Sequence, residues 1–591
     1  VSSGLVERRY VKPLKVSGTL VSNVRRKVLR EVTFERYYSK GNPTEGFDWK
    51  RKLEKKMIMV DEDLERRLPI RRTHPQEGIR FRKRPWKKCK YYGRSLGPGT
   101  RDVPHCTDPS DPLSVECGWR KRLMPTMPRP NLNKIRGIKK FVRDFVHKWY
   151  KPLPRQDRDK NFEEWLNSSN YNGQRKSEMR RAYDSVYKEH KVLTNKDYWA
   201  KCFIKSEFYE SPKHCRWINS RSDRFKSVVG PIIHKTEKII YNTRINGHKW
   251  FVKGEDITQL PRKIKRVLKN KYKVETDFSS FESGFSPYFT DAVECELFRH
   301  MLKFNKPELD AVLKVYYQET KMKLAGVMQN VLIPRLERLV SRNYVAKVTG
   351  LRLSGEMWTS LGNGFSNFMI FQYEAKLKGA NLIGLVEGDD GIFSCSIQLI
   401  QNAEIEQYGF RIKITYELEI NKTCFCGNLF DQHEENLIIG PEQISRLMWT
   451  CQRKYMNCSE RVCKELLKCK AMSLYVQGKH TPVAGWLAFK TQQLLKKYKS
   501  RYEGGNYWWD RTILELSKNE KFVEPKITMA ARILYAVKFN IPISEQLEIE
   551  DSIQHATSVE DLFIDRNFMI YGDCCSNAAS AVYKLVKDPD H

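Results

Sequence analysis

Two apolar runs of β-forming residues, LIGLV from Leu382 and IFSC from Ile392, flank Gly388-Asp389-Asp390-Gly391. A glycine between two such runs is a turn signal, and the short spacing points to an antiparallel hairpin. The chain is therefore expected to build an antiparallel sheet that carries two carboxylates at one tip. Adjacent bare carboxylates repel each other, and a bound divalent cation is a common remedy. A plain Asp-Gly turn is the alternative, so the meaning of the hairpin rests on its neighbours.

Two neighbours matter. Upstream, KYKVETDF (Lys271 to Phe278) alternates like a strand, with Asp277 near its end and Glu282 five residues on, past Ser279-Ser280. An acid at the C-terminal end of a strand can project into a cleft and bind a divalent cation through oxygen. It can also simply cap the next helix. Between the two acidic segments lies RLSGEMWTSLGNGFSNFMIFQYEAKL. There Ser354-Gly355 forms a small-residue loop, and Thr359, Asn363 and Asn367 recur every four residues. That spacing places the three on one helical face. Such a face suits hydrogen bonds to a sugar hydroxyl and to a template backbone; helix capping and a solvent-facing stripe are the bland reading.

In this order, strand acid, Ser-Gly-x3-Thr-x3-Asn and hairpin Gly-Asp-Asp resemble the A, B and C motifs of RNA-dependent RNA polymerases. The sequence is similar to the polymerases of positive-strand RNA viruses, most of all the tombusvirus-like group, whose B motif RLSGEMWTSLGN resembles. The likeness runs from about Tyr171 to Phe430, nearly half of the chain. YNGQRKSEMRRAY, with Tyr171, Gly173, Arg175 and Lys176, looks like the element that receives the template. The basic stretch from Phe203 to Tyr241 looks like the F motif, with Lys205, Arg216, Arg221 and Arg224 where such enzymes shield the incoming triphosphate. Cationic contacts are also what a triphosphate needs on physical grounds, and arginine offers a bidentate fork. AEIEQYGFRIKITYE resembles the D motif, a helix, Gly409 and a strand with Lys413 as general acid for the leaving pyrophosphate; an exposed strand lysine is the alternative. FCGNLFD, with Phe425, Cys426 and Phe430, looks like the E-motif hairpin that supports the growing RNA end. Glu282 stands where many families have Asp. It is one methylene longer, so the network that reads the ribose 2′-hydroxyl with Asn363 must be rearranged.

The resemblance implies a mixed α+β fold shaped as a right hand. Fingers and palm would interleave over 116–430, the palm built on an RRM-like antiparallel sheet, and a mostly helical thumb would occupy 431–591, after a basic N-terminal extension over 1–115. It implies RNA synthesis from ribonucleoside triphosphates on an RNA template. Asp277 and Asp389 would hold two Mg²⁺ ions ~3.5–4 Å apart, with Mn²⁺ as a substitute and Asp390 as a secondary ligand. Ser354, Gly355, Thr359 and Asn363 would serve the nucleotide. The implied partners are template and nascent RNA and other viral replication proteins, in the host cytoplasm within a membrane-associated complex. The rivals are a reverse transcriptase or DNA polymerase, which shares the palm acids, and a non-catalytic RNA-binding protein.

Charge agrees with a polyanionic partner. The 591 residues hold 106 Lys+Arg against 70 Asp+Glu, and residues 1–100 hold 27 against 11, which leaves +16 there. The densest run, RFRKRPWKKCK from Arg80 to Lys90, has Trp86, Tyr91 and Tyr92 in or beside it, a mixture suited to single-stranded nucleic acid. VSGTLVSNV reads as strand, and the Gly/Pro-rich SLGPGTRDVPHCTDPSDP as a linker. Fifteen cysteines are too sparse for a disulfide scaffold and read as reduced, small apolar residues. A zinc site at His105, Cys106 and Cys117 is the lesser reading, because paired Cys-x-x-Cys spacing is missing. No apolar run approaches the ~18–20 residues of a membrane span, and no signal peptide opens the chain.

Overall fold

A computed structural model describes residues 127–317 and 352–562, except 170, 206, 208–214, 442–443, 445–446, 448 and 502–521, together with 8–10, 29–35, 55–61, 91–92, 94–97, 106–107, 118, 320–324 and 345–348. Helix α1 (Leu132–Trp149) starts at Asn131, whose side-chain oxygen accepts from the amides of Asn133 (3.0 Å) and Lys134 (3.2 Å). Its residues Ile135, Ile138, Val142, Phe145 and Val146 follow the helical period and are buried. Helix α2 (Gly173–Tyr187) is capped by Asn172, and helix α3 (Asp223–Asn242) by Ser222. Gly230 of α3 lies so close to Trp165 that a Cβ there would stand 2.6 Å from the indole.

At the centre is a four-stranded antiparallel sheet. Its members are β1 (Tyr272–Phe278), β2 (Leu382–Glu387), β3 (Asp390–Cys395) and β4 (Ile412–Glu417), in the spatial order β2-β3-β1-β4. Helix α4 (Thr359–Leu377) precedes β2 and packs on β2 and β3. Phe371 stacks on Phe393 of β3 at 4.5 Å, and Phe368 meets Trp250 at 4.5 Å and Phe145 of α1 at 5.6 Å. One buried apolar cluster runs from α1 through β1 and α4 to Phe410 and Ile412, and a second buries Leu385 and Ile392 of the sheet.

A second sheet has seven strands. The N-terminal strands Arg8–Tyr10, Leu29–Glu35 and Lys55–Asp61 continue through Val345–Val348 and Thr320–Leu324 to Ala200–Ile204 and Trp217–Ser220. Helices α5 (Glu460–Gly478), α6 (Ala484–Leu494), α7 (Met529–Phe539) and α8 (Ile543–His555) enclose a separate apolar cluster. The helical reading of the C-terminal zone holds for these residues. Leu96 is buried in that same cluster, and strand Arg94–Ser95 pairs with Trp449–Thr450. The first residues of the expected linker are therefore packed.

The architecture is a mixture of helices and sheets, as the α+β reading expects. The cysteines described are free, and the thiols of Cys458 and Cys463 are hydrogen-bonded at 3.5 Å rather than joined as a disulfide. Among the described residues no helix is long and apolar enough to cross a membrane. The VSGTLVSNV strand, the Arg80 to Lys90 run and the side chains of His105, Cys106 and Cys117 lie outside the described residues.

Candidate active site

The register of the central sheet gathers the acids. Gly391 of β3 pairs with Thr276 of β1, so Asp390, one residue earlier, stands level with Asp277. On the other side of β1, Lys413 of β4 pairs with Asp277 itself. Directly paired residues project their side chains to the same face. Glu387 and Asp390 close the hairpin, leaving Gly388 and Asp389 as a two-residue turn. Gly388 has φ +60°, and a Cβ there would touch nothing within 4 Å, so glycine is required for its backbone and not for space. Two side chains pin the turn: Asn367 Nδ2 donates to the Asp389 carbonyl (3.1 Å), and Thr276 Oγ1 to the Gly391 carbonyl (3.2 Å).

Asp277, Asp389 and Asp390 are open to solvent, and Glu282 is half-buried on the short helix Phe281–Gly284. Enough protein nonetheless surrounds the hairpin to strip water from its carboxylates. Asp390 is pushed up to about 7, first by that desolvation and then by Asp389 and Asp277. Asp389 is raised by the same desolvation, then by Glu282 and Asp277, while Arg216 pulls it down. Glu387 is also pushed up to about 7, by desolvation and by Asp390, against the pull of Lys253. Solvent access combined with desolvation is the condition of a cleft floor. Like charges crowded there favour either shared protons or a cation.

Among the described residues no group of three or more His, Cys, Asp or Glu side chains forms a ready-made metal cage. Hard oxygen donors at Asp277 and Asp389, with Asp390 beside them, still fit Mg²⁺. That ion keeps several waters and commonly takes only one or two carboxylates beside substrate phosphates.

The turn between strands Cys424–Phe425 and Asn428–Leu429 brings a further group to the acids. Cys426 sits in it at φ +54°, exposed, with its thiol hydrogen-bonded to Asp390; desolvation and the nearby Asp390 and Glu387 hold that thiol protonated. On α4, Asn363 is half-buried, and its Oδ1 has no partner among the described residues.

The expected cationic residues divide. Lys205 Nζ lies 2.9 Å from Glu207, which also takes Arg216 through Nε (2.5 Å), and the exposed Arg216 still acts on Asp389 and Asp390. Arg221 is a correction. It is buried at 4% exposure, its Nε 2.8 Å from both Glu356 oxygens, with a further bond to the Tyr198 carbonyl. In this conformation it braces the Ser354-Gly355 loop and cannot meet a nucleotide. Arg224 is likewise drawn to Asp197 (3.2 Å) and the Val192 carbonyl (3.1 Å). Arg175 grips Asp223 (2.7 Å) and Glu178 (2.8 Å), which ties α2 to the start of α3 and leaves its side chain 30% exposed. Tyr171 is half-buried, edge-on to Trp165 at 6.3 Å; Gly173 opens α2, and Lys176 reaches the Asn167 carbonyl (3.3 Å).

The Ser354-Gly355 loop is held from below. The Ser354 carbonyl accepts from the Asn219 amide (2.7 Å), and Gly355 has φ +105°, where a Cβ would stand 2.5 Å from the Asn219 carbonyl. The hydroxyl of the half-buried Thr359 donates to the Glu356 carbonyl (2.9 Å) and accepts from the Gly355 amide (3.2 Å), so it shapes the loop.

Sequence reading passed over Glu387, Glu275 and Thr276. Glu275 shares the face of Asp277 two residues on, is pushed up to about 7 by desolvation, and accepts from the Cys424 amide, which docks the Cys426 turn on the sheet. The alternation within KYKVETDF was the signal for it. No model of a known protein family matches this chain, and no curated protein does.

Proposed function

We propose that the chain is a template-directed RNA polymerase of the kind its A, B and C motifs resemble, with fingers and palm interleaved over 116–430 and a thumb beyond 431. The observation that carries the reading is the sheet register, which sets Asp277, Asp390 and Lys413 level on neighbouring strands beside the Asp389 turn. Three segments more than a hundred residues apart at their extremes converge there, and each contributes the residue type that nucleotidyl transfer needs.

Mg²⁺ bound by Asp277 and Asp389, with Asp390 as a secondary ligand, would neutralise the triphosphate and make the 3′-hydroxyl of the growing RNA a better nucleophile. Arg216 and Lys205 would bind the incoming triphosphate, exchanging Glu207 for phosphate oxygens. Asn363, with its unpaired Oδ1, would accept from a ribose hydroxyl, and Glu282 would share that contact. Lys413 would give its proton to the leaving pyrophosphate. Cys426 would lie beside the growing RNA end. Positioning and charge neutralisation would supply most of the rate, as in phosphoryl transfer generally. Ribonucleoside triphosphates, template RNA and other viral replication proteins are the partners in this reading. Its setting is the host cytoplasm, in a membrane-associated complex.

A reverse transcriptase would share the acids but would not need a ribose acceptor on α4. Extension of an RNA primer with ribonucleotides in place of deoxyribonucleotides separates the two. Ribonucleotides are expected to be favoured by at least ~100-fold, since a site built to hydrogen-bond a hydroxyl rejects the analogue that lacks it. Equal use of both would overturn the RNA-product reading.

A further inference from the structure

We infer that Asn367 is a positioning residue for Asp389, holding the metal-facing turn through its main chain; the inference rests on the proposed function. Asn367 follows Asn363 by one helical turn on the same face of α4 and is fully buried. Its Nδ2 donates to the Asp389 carbonyl at 3.1 Å. In a two-residue hairpin that carbonyl belongs to the turn and not to the ladder, so the side chain does what no neighbouring strand can.

Two further observations separate this from an ordinary core asparagine. Asn367 Oδ1 has no hydrogen-bond partner among the described residues. A buried amide with half of its capacity unmet is unfavourable compared with an apolar residue of the same shape, so packing alone gives no reason for asparagine here. The approach of helix to turn also depends on glycine. A Cβ on Gly391 would stand 2.9 Å from Asn367 Nδ2, and one on Gly364 would stand 3.5 Å from the Gly388 amide. The backbones are thus brought close enough for the amide to reach the carbonyl. One turn of α4 carries both the ribose-facing Asn363 and the amide that fixes Asp389, so the nucleotide pocket and the metal carboxylate share a rigid support.

The test is Mn²⁺ binding to the full chain without RNA or nucleotide, followed by electron paramagnetic resonance. Wild type, Asn367→Ala and Asn367→Leu are compared, with melting midpoints measured alongside. Asn367→Leu fills the volume and removes only the donor, so it remains informative if the alanine variant does not fold. Both variants are expected to bind Mn²⁺ about 10-fold more weakly, the usual cost of losing an outer support of a metal ligand, with melting midpoints close to wild type. Wild-type Mn²⁺ affinity in a folded variant would overturn the inference and leave the proposed function standing. Weaker binding only in step with a fall in melting midpoint of more than ~5 °C would mark a structural role and overturn it too. A wild type that binds no Mn²⁺ would overturn the metal reading itself, and this inference with it.

Discussion

Replacing Glu294 with alanine is expected to lower the stability of the chain by about 3–5 kcal/mol, the usual cost of stripping one partner from a buried ion pair. Glu294 and Arg352 are in contact at 0% and 2% exposure, and neither can turn to solvent. Tyr316 donates to the same carboxylate, and Ser366 of α4 lies 3.4 Å from it. The guanidinium lies against Gly362, where a Cβ would stand 2.4 Å from it, so the cation is confined between α4 and the helical turn that carries Glu294. Removing the acid strands that cation; removing both does not. The melting midpoint of Glu294→Ala should fall by about 2–4 °C for a chain of this length, while the double variant Glu294→Leu, Arg352→Met should recover most of the loss. A Glu294→Ala midpoint equal to that of the wild type would show that the pair does not anchor the Ser354-Gly355 loop and α4.

The Mg²⁺ requirement of catalysis is expected to rise steeply below neutral pH. Burial and their neighbours push Asp390 and Glu387 up to about 7 and raise Asp389, so the cluster is expected to take up protons as the pH falls through 7. A cation must displace each proton it replaces, which costs up to about tenfold in apparent affinity per pH unit per proton. The Mg²⁺ concentration for half-maximal incorporation should therefore be about tenfold higher at pH 6 than at pH 8. Stability moves the other way. These carboxyls have folded values above their unfolded ones near 4, so the folded chain binds more protons between the two. Their destabilising charge is fully present above 7 and is relieved as the pH falls toward the unfolded values. The metal-free melting midpoint should rise between pH 8 and pH 6, and saturating Mg²⁺ should flatten that slope. Calorimetry at several pH values reads it, and a metal-free profile already flat would contradict the crowded cleft.

The parts of the site that were legible in the sequence are those that local rules determine. A glycine turn between apolar runs gave the β2–β3 hairpin, strand alternation gave β1 with Asp277 near its end, and the four-residue spacing placed Thr359, Asn363 and Asn367 on α4. Pairing partners were not legible, because which strands adjoin is decided by packing across long separations. Nothing local says that Lys413 faces Asp277, or that Cys426 meets Asp390. The burial of Arg221 was hidden for a related reason. A basic run does not reveal which of its members has a buried acid waiting; Arg221 has Glu356, whereas Arg216, which acts on Asp389 and Asp390, shares the Glu207 carboxylate with Lys205. Glu356 lies within the motif that was read, but its role follows only from a contact 135 residues away in sequence.

The central claim is that the Asp277–Asp389–Asp390 cluster drives RNA synthesis. Incorporation of labelled UTP on a poly(A) template with an oligo(U) primer and Mg²⁺ tests it most directly, with wild type and Asp389→Ala assayed side by side. The account predicts incorporation by the wild type and a loss of at least ~1,000-fold in the variant, since the carboxylate acts on charge that develops only during transfer. Equal incorporation by the two proteins would contradict it.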